Sequence, residues 1–167
     1  DVSGVLALAL DRAGARRVTR WFTEGAARKW YRARVAGVPA EPEGRIEVGI
    51  ARDPSRRGRM RASNTGDPAR TDYRVLRSPD DDHGYAVLGV RLHTGRTHQI
   101  RVHLAHLGCP LLGDRFYGGP QQVRHAGVGT RVPRLCLHAE RLELPGGEGD
   151  EARRFEARVP DFLAPAE

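Results

Sequence analysis

Apolar and polar positions along this chain switch between a period of two and a period near four, and the switches mark its elements. Residues 5–10 (Val-Leu-Ala-Leu-Ala-Leu) form a continuous apolar run ended by Asp11-Arg12, the pattern of a strand buried in a core. Residues 13–24 carry Ala15, Val18 and Phe22 at helical spacing before Gly25, which predicts an amphipathic helix. Residues 28–38 return to strand with Trp30 and Tyr31 on opposite faces, and Gly37-Val38-Pro39 turns the chain. Residues 41–44 read as a loop, and 46–50 alternate as a short strand. From 51 to 70 the apolar pattern disappears apart from Met60, which predicts a polar loop. Runs 71–76 and 85–92 flank the turn-forming stretch 78–84, a strong hairpin signal.

The second strand of that hairpin leads into Leu92-His93-Thr94-Gly95-Arg96-Thr97-His98-Gln99-Ile100-Arg101-Val102-His103-Leu104-Ala105. This stretch reads as a strand end, a polar turn and a short helix, with Gly95 giving the turn its freedom and Thr97 capping the first helical N–H groups. Ile100, Leu104 and Leu107 form one apolar stripe, and Gly108 before Cys109-Pro110 stops the helix. Residues 111–119 follow as a glycine-bounded connection and 120–133 as a loop. Runs 135–144 and 155–159 read as a final strand pair around the tip at 145–151. Strands outnumber helices and are joined as hairpins, so the expected class is α+β, a mostly antiparallel mixed sheet with a few helices in one domain over 1–167.

Charge narrows the partner. The 167 residues carry 28 Lys+Arg against 21 Asp+Glu, a formal charge of +7, and Lys29 is the sole lysine. A basic surface suits a polyanion such as nucleic acid, although arginine in place of lysine can equally reflect a GC-rich genome. Arg52, Arg56, Arg57, Arg59, Arg61 and Arg70 cluster in the polar stretch 51–70, which we read as a phosphate-tracking loop. Cys109 and Cys136 lack a Cys-x-x-Cys arrangement and are expected to be reduced in a cytoplasmic protein. No apolar run approaches the roughly 20 residues of a membrane span. Asp1 is not a translation start and Met60 is the sole methionine, so further residues are expected upstream.

The turn at 93–98 is the place to look for chemistry, because polar groups crowd a loop-to-helix junction beyond anything packing needs. Arg101, beside the apolar stripe, is either a snorkelling surface side chain or a fork for a carboxylate or phosphate. A metal site built from the histidines fits poorly. His98 and His103 are five apart, about 140° round a helix, unlike the i, i+4 pair of a helical zinc site. A Ser/His/Asp hydrolase is weaker still, since no nucleophile elbow surrounds Ser3.

The run from Leu92 to Ala105, then Gly108, Pro110, Gly113-Asp114 and Tyr117-Gly118, resembles the signature of the RluA-type RNA pseudouridine synthases. Residues 1–10 resemble the tail of that family's first motif, H-R-L-D-x-x-T-S-G, with Ser3-Gly4 aligned on its last two positions. On that alignment Val2 replaces the threonine, and the nucleophilic aspartate falls two positions before Asp1, so the domain is expected to be incomplete at its N-terminus. Lys29-Trp30-Tyr31 looks like the Lys-x-Tyr motif, while residues 69–73 and 137–139 resemble secondary blocks with a structural role. The resemblance implies the pseudouridine synthase catalytic-domain fold and the isomerisation of specific uridines in rRNA or tRNA, without a cofactor or metal. It implies that Tyr31 faces the target base and that Arg101 pairs with the nucleophilic carboxylate. Arg96, Thr97, His98 and Gln99 are the implied RNA contacts. A monomer is expected. The alternative is a non-catalytic RNA-binding homologue without the aspartate.

Overall fold

The computed structural model describes residues 2–77, 84–125, 128–146 and 151–163. Along the chain these form β1 (Ser3–Gly4), α1 (Arg12–Thr23), β2 (Arg28–Ala36), β3 (Glu43–Ile46), β4 (Ile50–Arg52), β5 (Met60–Ala62), β6 (Thr71–Arg77) and β7 (Tyr85–Leu92). Then come α2 (Gln99–His106), β8 (Gln122–His125), β9 (Val128–Arg131), β10 (Leu137–Leu144), β11 (Arg153–Glu156) and a 3₁₀ turn at Asp161–Leu163. A seven-stranded sheet runs in the order β1-β10-β2-β7-β6-β3, with β11 also on β10. Every pair in it is antiparallel except β1 with β10. The class is α+β, with a mostly antiparallel mixed sheet and two α-helices among the described residues.

Alternation in the central strands builds the core. Ala33 and Val35 of β2 and Ala86, Leu88, Val90 and Leu92 of β7 point to one face, where they meet Ile100 and Leu104 of α2. The other side of α2 is also covered, because Val102 and Ala105 pack on Ile50, Met60 and Ala62 of the β4–β5 hairpin and on Tyr117. The helix therefore lies between the sheet and a small hairpin, apolar on two sides. Each buried aliphatic side chain there contributes roughly 1.5–3 kcal/mol. α2 ends as its sequence demands: Gly108 takes φ +81°, its N–H donates to the Ala105 carbonyl, and the Cys109 N–H donates to that of Leu104.

Several expectations are corrected. Residues 5–10 are not a buried strand: Leu6 and Leu8 are each 79% exposed and Leu10 fully so. The edge of β10 they would extend along is taken, since Arg141–Leu144 pair with β11 and the Glu140 carbonyl accepts from Ala157. β1 is thus limited to Ser3 and Gly4, whose close approach only glycine allows. At φ +116°, a Cβ on Gly4 would collide with the Ala139 carbonyl. Residues 46–50 divide between β3 and β4, which pair with different strands, and β3 takes in Glu43 and Gly44 from the expected loop. The polar stretch 51–70 is in part the β4–β5 hairpin, held by Met60 and Ala62, and the loop 120–133 contains the β8–β9 hairpin. The turn stretch 78–83 and most of the tip at 145–151 lie outside the described residues.

Cys109 and Cys136 are buried free thiols, each with its pKa raised by burial. Among the described residues no helix is long and apolar enough to cross a membrane.

Candidate active site

A cleft of roughly 1130 Å³ opens on the α2 side of the sheet, walled by β1, Tyr31 of β2, the turn before α2, Arg101, and the Asp114–Phe116 turn. Tyr31 reaches it from the middle of the sheet, where it pairs with Val90 and Ala139 on the neighbouring strands. Its hydroxyl has no hydrogen-bond partner among the described residues, and burial raises its pKa, so it is a protonated phenol at neutral pH. Arg101 and Tyr31 both line the cleft.

The partner of Arg101 in this structure is a residue to which the sequence assigned no role. Its Nε and Nη2 each donate to a carboxylate oxygen of Asp114 at 2.7 Å. Asp114 is 1% exposed and its Oδ1 also accepts the N–H groups of Phe116 and Tyr117. This bidentate pair raises the Arg101 pKa further and fixes the guanidinium plane, which lies 4.8 Å from the Tyr117 ring centroid. The charge is therefore compensated from below while the side chain, 18% exposed, still borders the cleft.

The turn at 93–98 is built differently from its expected form. Gly95 does not take a left-handed conformation. His98 does, at φ +57°, the sole non-glycine to do so among the described residues. Thr97 does not cap the helix either: the cap position is His98, whose side chain makes no capping bond. Gln99 organises the turn instead. Its Oε1 accepts from the Thr94 hydroxyl and the Arg96 N–H, and its Nε2 donates to the Arg70 carbonyl and Thr71 Oγ1. With four internal bonds and 2% exposure, the Gln99 side chain holds the turn, and the residue also borders the cleft. Thr97 is exposed and outside the cleft lining, whereas Arg96 lines it, its Nε bound to the Pro68 carbonyl.

Beneath the turn the polar network is closed. His103 is fully buried, its Nε2 at 3.0 Å from the Val48 carbonyl and its Nδ1 at 2.8 Å from Thr71 Oγ1. A carbonyl only accepts, so Nε2 carries the proton and the Thr71 hydroxyl donates to Nδ1. Burial lowers the His103 pKa and keeps the ring neutral. Lys29, also buried and with a lowered pKa, donates to the Thr94 carbonyl from β2. On the far wall the Ser3 hydroxyl pairs with His138 Nδ1 at 2.9 Å and ties β1 to β10. No cluster of three potential metal-ligating side chains occurs among the described residues. Sequence reasoning missed Asp114, Tyr117 and Thr71 as partners. The available signal was a buried-type Asp and Tyr inside glycine-bounded turns, with nothing to say which side chains they meet.

The other sheet face has a groove too, beside Trp30, whose ring lies under Arg141 at 3.8 Å and Arg91 at 5.6 Å. Charges in its lining pair across strands, Arg45 with Asp72 and Arg74 with Glu43. The cleft, which Tyr31 and Arg101 both border, is the candidate site.

The chain belongs to the RNA pseudouridylate synthase family, whose model matches residues 1–106. Within it the chain is of the RluA type. It is 41% identical over 143 residues to the dual-specificity RNA pseudouridine synthase RluA of Salmonella typhimurium, and equally to that of Escherichia coli, covering 85% of this chain and 62% of each relative. Human RNA pseudouridylate synthase domain containing 1 superposes with a TM-score of 0.69 at 30% identity, covering 92% of this chain and 62% of that one. The chain thus spans less than two thirds of the length of these relatives.

Proposed function

We propose that the protein isomerises specific uridines in rRNA or tRNA to pseudouridine, with residues 1–167 forming its catalytic domain. The observation that carries this reading is the placing of Tyr31 and the Asp114-held Arg101 on the same cleft, in a chain of this family. The chemistry breaks the bond from N1 to C1′, turns the base and joins C1′ to C5. The proton on C5 is lost to water and N1 regains one, so no electron or group is exchanged and no cofactor is called for. The uridine must leave its stack to reach a cleft of this kind. Arg101 keeps a nearby carboxylate ionised and oriented, and the Tyr31 ring offers a hydrophobic wall to the extruded base. Arg96 and the exposed Arg56 and Arg57 of the β4–β5 hairpin contact phosphates. His98 contacts the nucleotide, and Thr97, exposed beside the cleft, reaches the RNA only at its rim. The protein acts as a monomer in the cytoplasm.

The test is release of tritium from RNA labelled at C5 of uridine, using the full gene product that contains this chain. Release that is lost in Arg101→Ala and in Tyr31→Phe, with RNA binding retained, is the expected outcome. RNA binding without release by the unaltered protein would instead identify a non-catalytic RNA-binding homologue.

A further inference from the structure

The hydrogen-bonding partners of Tyr117 assign the proton on His98. Tyr117 is buried, and its hydroxyl has two neighbours, the Met60 N–H at 3.0 Å and His98 Nδ1 at 2.8 Å. A backbone N–H can only donate, so the hydroxyl oxygen accepts from Met60. The hydroxyl hydrogen then needs an acceptor, and among the described residues the one within reach is His98 Nδ1. Were Nδ1 protonated, that buried hydrogen would have no partner. The proton therefore sits on Nε2, for which the described residues supply no partner, on a side chain that lines the cleft.

Two further features suit this ring to a ligand. The left-handed backbone at His98 is a strained choice for a non-glycine residue, of the kind kept where a side chain must be aimed. The ring also stands at right angles to its neighbour, 5.7 Å from the Tyr117 centroid at 83°, and 6.4 Å from that of Phe116, so it is braced on two aromatic edges.

We propose that His98 supplies an Nε2–H donor to a carbonyl oxygen of the pyrimidine held in the cleft, and that Tyr117 is the positioning residue that fixes its tautomer and direction. The proposal rests on the RNA reading of the cleft. A base carbonyl is preferred to a phosphate because the ring stays uncharged. Burial lowers its pKa and Arg101 lowers it further, against an opposing pull from Asp114. Phosphates are better met by the exposed guanidinium of Arg96, whereas a neutral donor suits a neutral acceptor.

The experiment is long-range proton–nitrogen NMR of the histidine rings in the full chain, followed by titration with two RNAs. One is a single-stranded oligonucleotide with a single uridine, and the other is the same strand abasic at that position. The expected result is a neutral Nε2–H pattern for His98 at pH 7 that gives way to a tautomer mixture in Tyr117→Phe, with Nε2 shifted by the uridine strand and not by the abasic one. His98→Gln, which keeps an N–H at similar reach, should bind the uridine strand within about threefold of the unaltered chain, and His98→Leu about tenfold more weakly. An Nδ1–H tautomer or an imidazolium at pH 7 would overturn the assignment. Equal shifts with both RNAs would overturn the base contact. If neither RNA perturbs Arg101 or Tyr31, both the contact and the RNA reading of the cleft fall, while the tautomer stands by itself.

Discussion

Replacing Asp114 with alanine isolates the interaction that fixes Arg101. The carboxylate has no exposed surface, receives two charge-assisted bonds of 2.7 Å from the guanidinium, and accepts the N–H groups of Phe116 and Tyr117 at 3.1 and 3.2 Å. Breaking a buried ion pair from one side costs about 3–5 kcal/mol, because the other charge stays behind. Arg101 is 18% exposed and can draw some water, which places its share near the lower end of that range. Losing an acceptor for two backbone N–H groups adds about 1 kcal/mol. The expected destabilisation is therefore ~4 kcal/mol, a large part of the roughly 5–15 kcal/mol that holds a domain of this size.

Urea unfolding followed by the fluorescence of Trp21 and Trp30, with far-ultraviolet circular dichroism as a second probe, measures this directly. A double-mutant cycle then separates the pair from the backbone term. Arg101→Met with Asp114→Leu removes both charges at once and should recover about 2–3 kcal/mol relative to the sum of the single changes. A cost below about 1 kcal/mol for Asp114→Ala, or full additivity in the cycle, would refute the reasoning. Either result would mean that Arg101 is held by packing alone.

The buried histidine under the turn makes stability depend on pH. Because burial lowers the pKa of His103, the unfolded chain takes up a proton before the folded one does, so stability is complete above the unfolded value near 6.5 and falls as the pH drops below it. His98, more exposed, adds a smaller contribution of the same sign. Urea melts at a series of pH values should show this slope, and His103→Gln should flatten it. A stability that rises on acidification through this range would contradict the neutral assignment. The β4–β5 hairpin offers exposed Arg56 and Arg57, so changing both to alanine should reduce the salt dependence of single-stranded RNA binding, by about 0.7 in log–log slope for each phosphate that is no longer neutralised. An unchanged slope would place the phosphate-binding groups elsewhere.

The sequence by itself determined the parts of this protein that local physics controls. Strand patterns in 28–38, 71–76 and 85–92 marked the central strands, which form at Arg28–Ala36, Thr71–Arg77 and Tyr85–Leu92. Helical spacing before Gly25 marked α1, and Gly108 marked the end of α2, since few other residues accept that backbone. The dense polar turn before α2 marked a stretch whose Arg96, His98 and Arg101 line the cleft.

What only the tertiary structure decided is which groups meet. Residues 5–10 have the composition of a buried strand, yet β11 occupies the edge they would need, and competition for an edge leaves no trace in a local pattern. Asp114 lies 13 positions from Arg101, Thr71 lies 28 from Gln99, and Met60 lies 57 from Tyr117, so each bond exists only because α2 is held between the sheet and a hairpin. Gln99 shows the consequence: its place in the polar turn gave no sign of the four internal bonds that make it the support of that turn. A hydrogen-bonding side chain declares its capacity in the sequence, but its partner is set by long-range packing.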